Sequence, residues 1–213
     1  MVYLSALVIH CIFNTVKINC GALRIIVPRK PDAQLENRIL NAAYNLWVAG
    51  GEHALTMRAV AKAAQTTTPT LYERFKDRKE LLLALQVRAQ QSLFDAIKAA
   101  PTIAEACRMA LDYTEAHRHE YELIGKDWAA RFSRNAPTPS FDLVKQRLSQ
   151  QLGGCPNDHL YLALALATLY HGASMLLLDE GVPLETAAAI KTACIAATDA
   201  LVGVGNLAIP KPV

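Results

Sequence analysis

Thr66-Thr67-Thr68-Pro69-Thr70-Leu71-Tyr72-Glu73-Arg74-Phe75 is the stretch that decides how this chain is read. The residue before a proline is biased out of the helical region. That suits Thr68 as a helix N-cap, with Thr67 the alternative one residue earlier. Pro69 then falls at the first helical position, where its missing N–H costs nothing. Leu71 and Phe75 lie four apart and share a face, so both are expected to point into a core. Thr68, Pro69, Thr70, Tyr72, Glu73 and Arg74 make up the rest of the surface. It is short, hydroxyl-rich and aromatic, with one guanidinium. Such a surface can enter a groove and meet both phosphates and base edges.

Upstream, Thr56 to Ala64 reads as a second short helix capped by Thr56. Met57, Val60, Ala61 and Ala64 recur at i, i+3, i+4 and i+7, which is one apolar stripe. About three residues, Gln65 to Thr67, separate the two segments. Two short helices, a tight turn and a shared core make a helix-turn-helix. Ala61, Ala63 and Ala64 are read as keeping the helices close.

Three motifs then stand in order: Ile39-Leu40-x-Ala42-Ala43-x-x-Leu46-Trp47, Leu55-Thr56-x-Arg58-x-Val60-Ala61-x-x-Ala64, and Thr70-Leu71-Tyr72-x-x-Phe75-x-x-Arg78-x-x-Leu81-Leu82. Together, over about fifty residues, the chain resembles the DNA-binding domain of tetracycline-repressor (TetR) family regulators. It departs from that pattern at Gln65, where the family usually has a turn glycine. Helix-turn-helix spacing alone also occurs in helical proteins with no DNA role. The Thr-Leu-Tyr-x-x-Phe continuation and the basic flank are what carry the reading further. The resemblance implies that Thr67, Thr68, Pro69, Thr70, Tyr72 and Arg74 face DNA, and that Arg58 and Arg78 hold phosphates or reach an outer base.

Charge is placed accordingly. Residues 1–80 carry 11 Lys+Arg against 6 Asp+Glu, and residues 81–213 carry 11 against 13, giving balances of +5 and −2. A basic half beside a mildly acidic half fits one part that meets phosphate and one that does not. With 52% hydrophobic residues in 213, the chain can bury a sizeable core and is not of disordered composition. Five cysteines (Cys11, Cys20, Cys107, Cys155 and Cys194) are widely spaced, without a C-x-x-C. They read as free thiols in a reducing compartment.

The predicted helices run over about 33–49, 56–64, 68–75, 78–99, 103–119, 121–134, 140–152, 157–180 and 184–203, an all-α chain. The first ends at Gly50-Gly51, glycine suiting the position past a helix end. Asp77 is a plausible cap for the helix from Arg78, with Leu81, Leu82, Leu85, Val87 and Phe94 as its apolar positions. Ala136-Pro137-Thr138-Pro139, Gly153-Gly154-Cys155-Pro156 and Gly181-Val182-Pro183 are breaks. The domain reading is 1–31 as an N-terminal extension, apolar over 2–13 yet too short there to span a membrane; 32–80 as the helix-turn-helix domain; and 81–207 as a helical effector-binding and dimerisation domain. Arg24, Arg29 and Lys30 form either a basic arm for DNA or a solvated tail.

The last two helices are apolar nearly all round, so each must be buried on more than one side. A second copy of the chain is the natural cover. The resemblance implies the same pairing, a homodimer through those two helices. No nucleophile elbow, phosphate loop or dinucleotide turn is present, so neither an enzyme, a metal site nor a cofactor is expected. Tyr113, His117, Trp128, Phe132, Tyr170, His171 and Met175 are candidate walls of a ligand pocket, or else ordinary core. The expectation is a cytoplasmic, ligand-responsive DNA-binding repressor. Its partners are operator DNA, a second copy and a largely apolar effector, with no membrane. The alternative is a helical small-molecule-binding or scaffolding protein without DNA binding.

Overall fold

The structure, a computed structural model, describes residues 33–125 and 138–205. Expectations for residues 1–31, and for Trp128 and Phe132, lie outside the described residues. Among the described residues the architecture is all-α, with no strand. The helices are α1 (Ala33–Ala54), α2 (Met57–Ala63), α3 (Thr68–Tyr72), α4 (Arg78–Ile97), α5 (Ile103–Ala116), α6 (Arg118–Gly125), α7 (Pro139–Leu152), α8 (Leu160–Leu177) and α9 (Leu184–Val204). A 3-10 turn at Pro156–His159 leads into α8.

Leu35, Ile39, Ala42, Ala43 and Trp47 give α1 its buried stripe. Gly50 and Gly51 leave helical geometry, and Gly51 sits at φ 61°, ψ −150°, a conformation that a side chain would obstruct. The expected end of the first helix is therefore a kink, after which one more turn reaches Ala54.

The next turns differ from expectation in small ways that have local causes. Thr67, not Thr68, caps α3: its hydroxyl accepts from the Thr70 N–H at 3.3 Å. Pro69 thereby falls one position further in, where an N–H is still not required. Thr56 caps α2, its hydroxyl accepting from Ala59 N–H at 3.2 Å. Met57, Val60, Ala61 and Ala64 are buried as the stripe predicts, but Ala63 is exposed, so only two of the three alanines keep the helices close.

Gln65 stands at φ 54°, the left-handed region, and among the described residues no other non-glycine residue does. Its N–H donates to Lys62 O at 3.2 Å, and Thr66 N–H donates to Ala61 O at 2.9 Å. This is the C-terminal closure of a helix that glycine ordinarily makes. A side chain held there is strained by roughly 1–2 kcal/mol. Gln65→Gly is expected to raise stability by up to about 1 kcal/mol, less the flexibility that glycine adds to the unfolded chain. Chemical denaturation would measure it; a loss of stability would mean that the Gln65 side chain makes a compensating contact.

Asp77 caps α4, accepting from Glu80 N–H at 2.8 Å, while Glu80 accepts from Lys76 N–H at 2.6 Å. Leu81, Leu85, Ala89, Leu93 and Ile97 then recur every four residues on one buried stripe. Val87, expected inside, is 53% exposed. Two residues past Leu85 is about 200° round a helix, so it faces away from the stripe.

One apolar cluster runs from Leu35 of α1 through Leu55, Leu71, Phe75 and the α4 stripe to Leu123 and Ile124 of α6. Two smaller clusters lie among α5, α7, α8 and α9: one on Ile103, Leu148, Leu162 and Val202, the other on Leu111, Ala173 and Cys194. Ion pairs add to the α5–α9 contact, where Lys191 Nζ lies 2.9 Å from Asp112 Oδ1 and 2.7 Å from Glu115 Oε2.

Candidate nucleic-acid interface

The α2–turn–α3 unit presents one face inward and one outward. Leu71 is fully buried and Phe75 nearly so, while Tyr72 on the same short helix is 50% exposed. Thr67, Pro69 and Glu73 are exposed, and Thr68, Thr70 and Arg74 are half-buried. Arg58 projects from α2 into solvent. Thr67 and Thr70 also bond each other through their hydroxyls, at 2.8 Å. That contact fixes their rotamers and orients the start of α3. Lys62, Lys76 and Lys79 are exposed on the same elements, and the sequence motifs do not single them out. Their signal is the local excess of cations, which does not say which of them faces a ligand.

Arg78 differs from the expectation for it. Its Nε donates to Leu55 O at 2.7 Å and its Nη2 to Glu52 O at 2.6 Å, with Glu52 Oε1 3.2 Å from the same nitrogen. The guanidinium thus closes the loop between α1 and α2 onto the first turn of α4. Two of its five donors are thus taken by main-chain carbonyls, so Arg78 is also a clamp within the domain.

A second site lies between the helices that follow. A cavity of about 140 Å³ is walled by Leu93 and Ile97 of α4, Cys107 and Ala110 of α5, and Leu166 and Tyr170 of α8, with Thr138 to Phe141, Val144 and Thr198 closing it. The lining is overwhelmingly apolar. Of the candidate pocket residues, Tyr170 and His171 line it, and Tyr113, His117 and Met175 do not. Tyr113 and His117 stack on each other at 4.4 Å, and Tyr113 donates its hydroxyl proton to Glu120. Met175 lines a wider, shallower depression with Trp47 and Leu178. These residues occupy helix faces that turn away from the cavity, a phase that aromatic character alone does not reveal.

A few polar groups lie on or behind the cavity wall. The Tyr170 hydroxyl lies 3.0 Å from the Thr114 hydroxyl, itself fully buried and bonded to Ala110 O. Burial holds the Tyr170 phenol well above its usual range. Burial likewise pushes Tyr121 up to about 12, and its hydroxyl meets His171 Nδ1 at 2.8 Å. Both phenols are therefore neutral hydrogen-bonding groups near neutral pH. Ser140 Oγ, also on the lining, is buried without a hydrogen-bond partner among the described residues.

Residues 39–85 match the family model for bacterial regulatory proteins of the tetR family. The fold is similar to that of a TetR-like transcriptional regulator from Rhodococcus sp. RHA1, at TM-score 0.54 and 20% identity, over 81% of this chain and 99% of that one. A protein of unknown function from the same organism matches at TM-score 0.60 and 20% identity, over 83% and 98%. PfmR, a TetR family transcriptional regulator from Thermus thermophilus, matches at 0.50 and 16%, over 78% and 97%. No curated protein matches the chain. The matched residues span α1 to the first half of α4, the same elements that build the two-sided helix-turn-helix. Residues 39–85 are thus similar to the domain shared by bacterial regulatory proteins of the tetR family, and the fold around them is similar to that of TetR-like regulators.

Proposed function

We propose that the chain is a ligand-responsive repressor that binds its operator as a homodimer. In this reading α1 to α3 contact DNA, and the part from residue 81 onward binds an effector and dimerises. Thr67, Thr68, Pro69, Thr70, Tyr72 and Arg74 meet the major groove, and Arg58 holds a phosphate. Arg78 keeps the unit attached to α4. One observation carries the ligand response: α4 runs unbroken from the Arg78 clamp to the cavity wall at Leu93 and Ile97. A helix is stiff over this length, so a ligand that displaces its far end tilts the recognition helix.

The homodimer is supported by the exposed apolar faces of α8 and α9. Met175 and Leu176 are 55% exposed, Val204 73% and Leu184 90%. The segments Pro156–Leu177 and Leu184–Val204 are long and apolar enough to cross a membrane, and only 28% and 17% of their most apolar windows is buried within one chain. A bilayer is a poor cover for them. Lys191 of α9 is held in an ion pair to α5, and α5 is itself rich in charge. A second copy covers the apolar faces while leaving these charges in water.

The effector this cavity suits is small and mostly apolar, with a group that bonds Ser140 or Tyr170. Its volume is near that of an engineered apolar cavity of about 150 Å³ that takes benzene. Two recognition helices must reach half-sites about 34–36 Å apart, or a multiple of it. The effector releases DNA only if it binds the wider state more tightly.

A mobility-shift experiment with DNA upstream of the chain's own gene tests the reading; the expected result is a band that survives excess unrelated DNA. Absence of any specific band would favour a helical ligand-binding protein without DNA binding. Reciprocity supplies a further prediction. Any effector should bind more weakly to the operator complex than to free protein, by the factor with which it weakens DNA binding. Calorimetric affinities that are equal with and without saturating operator would uncouple the two sites.

A further inference from the structure

Two thiols meet at the cavity wall, and neither the DNA reading nor the effector reading uses them. Cys107 of α5 lines the cavity, and its Sγ lies 3.6 Å from Sγ of Cys194 on α9. The two residues are 87 apart in sequence, so the fold alone brings them together. Cys194 is buried and Cys107 half-buried. Thr198, buried on α9, donates its hydroxyl proton to Cys194 O at 2.8 Å, and the same oxygen lies 3.6 Å from Cys107 Sγ. Cys107 is therefore the member of the pair with a face on the cavity, and Cys194 the one behind it.

We propose that Cys107 and Cys194 form a peroxide-reactive dithiol, taking a small apolar hydroperoxide through the cavity and closing to a disulfide that joins α5 to α9. The thiolate of Cys107 attacks the terminal oxygen of the hydroperoxide. The O–O bond breaks, the alkoxide leaves and is protonated to an alcohol, and Cys107 becomes a sulfenic acid. Cys194 Sγ then attacks Cys107 Sγ, the S–O bond breaks, and hydroxide leaves with the Cys194 proton as water. Two thiols and one hydroperoxide give one disulfide, one alcohol and one water. The sulfurs lose two electrons and the peroxide gains them.

The surroundings assign the two roles. The hydrogen bond shared with Cys194, with the Thr198 hydroxyl beside it, brings the Cys107 thiol down to about 7 against the opposing effect of burial. The same bond, together with burial, raises Cys194 and keeps its proton in place. Cys107 is thus the group that reaches the thiolate first, the form that reacts. The sulfurs must approach by roughly 1.5 Å to reach the bonded distance of about 2.05 Å. An apolar wall admits an alkyl hydroperoxide more readily than a charged oxidant.

The test uses the full chain treated with one equivalent of tert-butyl hydroperoxide, then digestion without reductant and mass spectrometry. The expected product is a Cys107–Cys194 linked peptide, formed faster than the exposed Cys155 is oxidised. Cys194→Ser should stop the reaction at a dimedone-trappable sulfenic acid on Cys107. Saturating benzene should slow oxidation of Cys107 and leave that of Cys155 unchanged. Oxidation of Cys155 with the pair still reduced would overturn the proposal, and so would a Cys107 rate indifferent to benzene. None of these readouts involves DNA, so they stand or fall apart from the repressor reading.

Discussion

Leu71→Ala is expected to lower the unfolding free energy by about 2–5 kcal/mol, the cost of emptying a fully buried leucine site. Tyr72→Ala, one residue on, is expected to leave stability nearly unchanged and to weaken operator binding by at least tenfold, about 1.4 kcal/mol. The contrast follows from the helix. Leu71 is wholly buried in the cluster that includes α2 and the α4 stripe, whereas half of Tyr72 is in solvent. Urea denaturation followed by circular dichroism gives the first quantity, and fluorescence anisotropy on operator DNA gives the second. Equal destabilisation by both changes would mean that the facing of α3 is wrong.

Arg78→Ala and Arg58→Ala should fail in different ways, although both remove one guanidinium from the same domain. Hydrogen bonds to charged groups contribute about 1.5–3 kcal/mol when well buried, and the partial exposure of Arg78 places its loss toward the lower end of that range. Arg78→Ala should therefore shift the denaturation midpoint downward, because Leu55 O and Glu52 O lose the guanidinium, and Glu52 O keeps the Leu55 N–H at 3.3 Å. Arg58→Ala should leave the midpoint alone and reduce the log–log salt slope of DNA binding by about 0.9, the signature of one lost phosphate contact. Titrating operator at several salt concentrations separates them. A reduced slope for Arg78→Ala at unchanged stability would return that residue to the phosphate-binding set.

The helix-turn-helix is legible in the sequence because its signals are local. Thr56, Thr67 and Asp77 each mark a helix start by their own hydroxyl or carboxylate, and Pro69 narrows the choice further. The apolar spacing of Met57, Val60, Ala61 and Ala64 settles the buried face of α2. Arg78 misleads because its partners are carbonyls 23 and 26 residues earlier, and a carbonyl has no sequence identity. Val87 misleads when hydrophobicity is counted without its phase on the helix. The cavity is the least legible part. Its walls come from α4, α5, α6, α7, α8 and α9, so its lining depends on how helices pack, and Gln90, Ser140 and Thr198 carry no motif that would mark them. Cys107 and Cys194 look like stray thiols until the α5–α9 contact brings them together.

The Arg78 clamp also bears on how freely this junction can change. Its two hydrogen bonds end on main-chain oxygens, so the side chains at positions 52 and 55 can drift without breaking them. Only the ion pair to Glu52, on a partly exposed carboxylate, is sensitive to that drift, and exposed pairs of this kind contribute little. The requirement on α1 and α2 is geometric: two carbonyls must converge where a guanidinium can reach both. Any segment put in place of the residues ahead of Arg78 must meet that condition and also supply the apolar surface on which Leu81 and Leu85 pack, now given by Leu55, Leu71 and Phe75. The boundary for building chimeras from this chain therefore lies between Phe75 and Arg78, with the arginine kept together with α4.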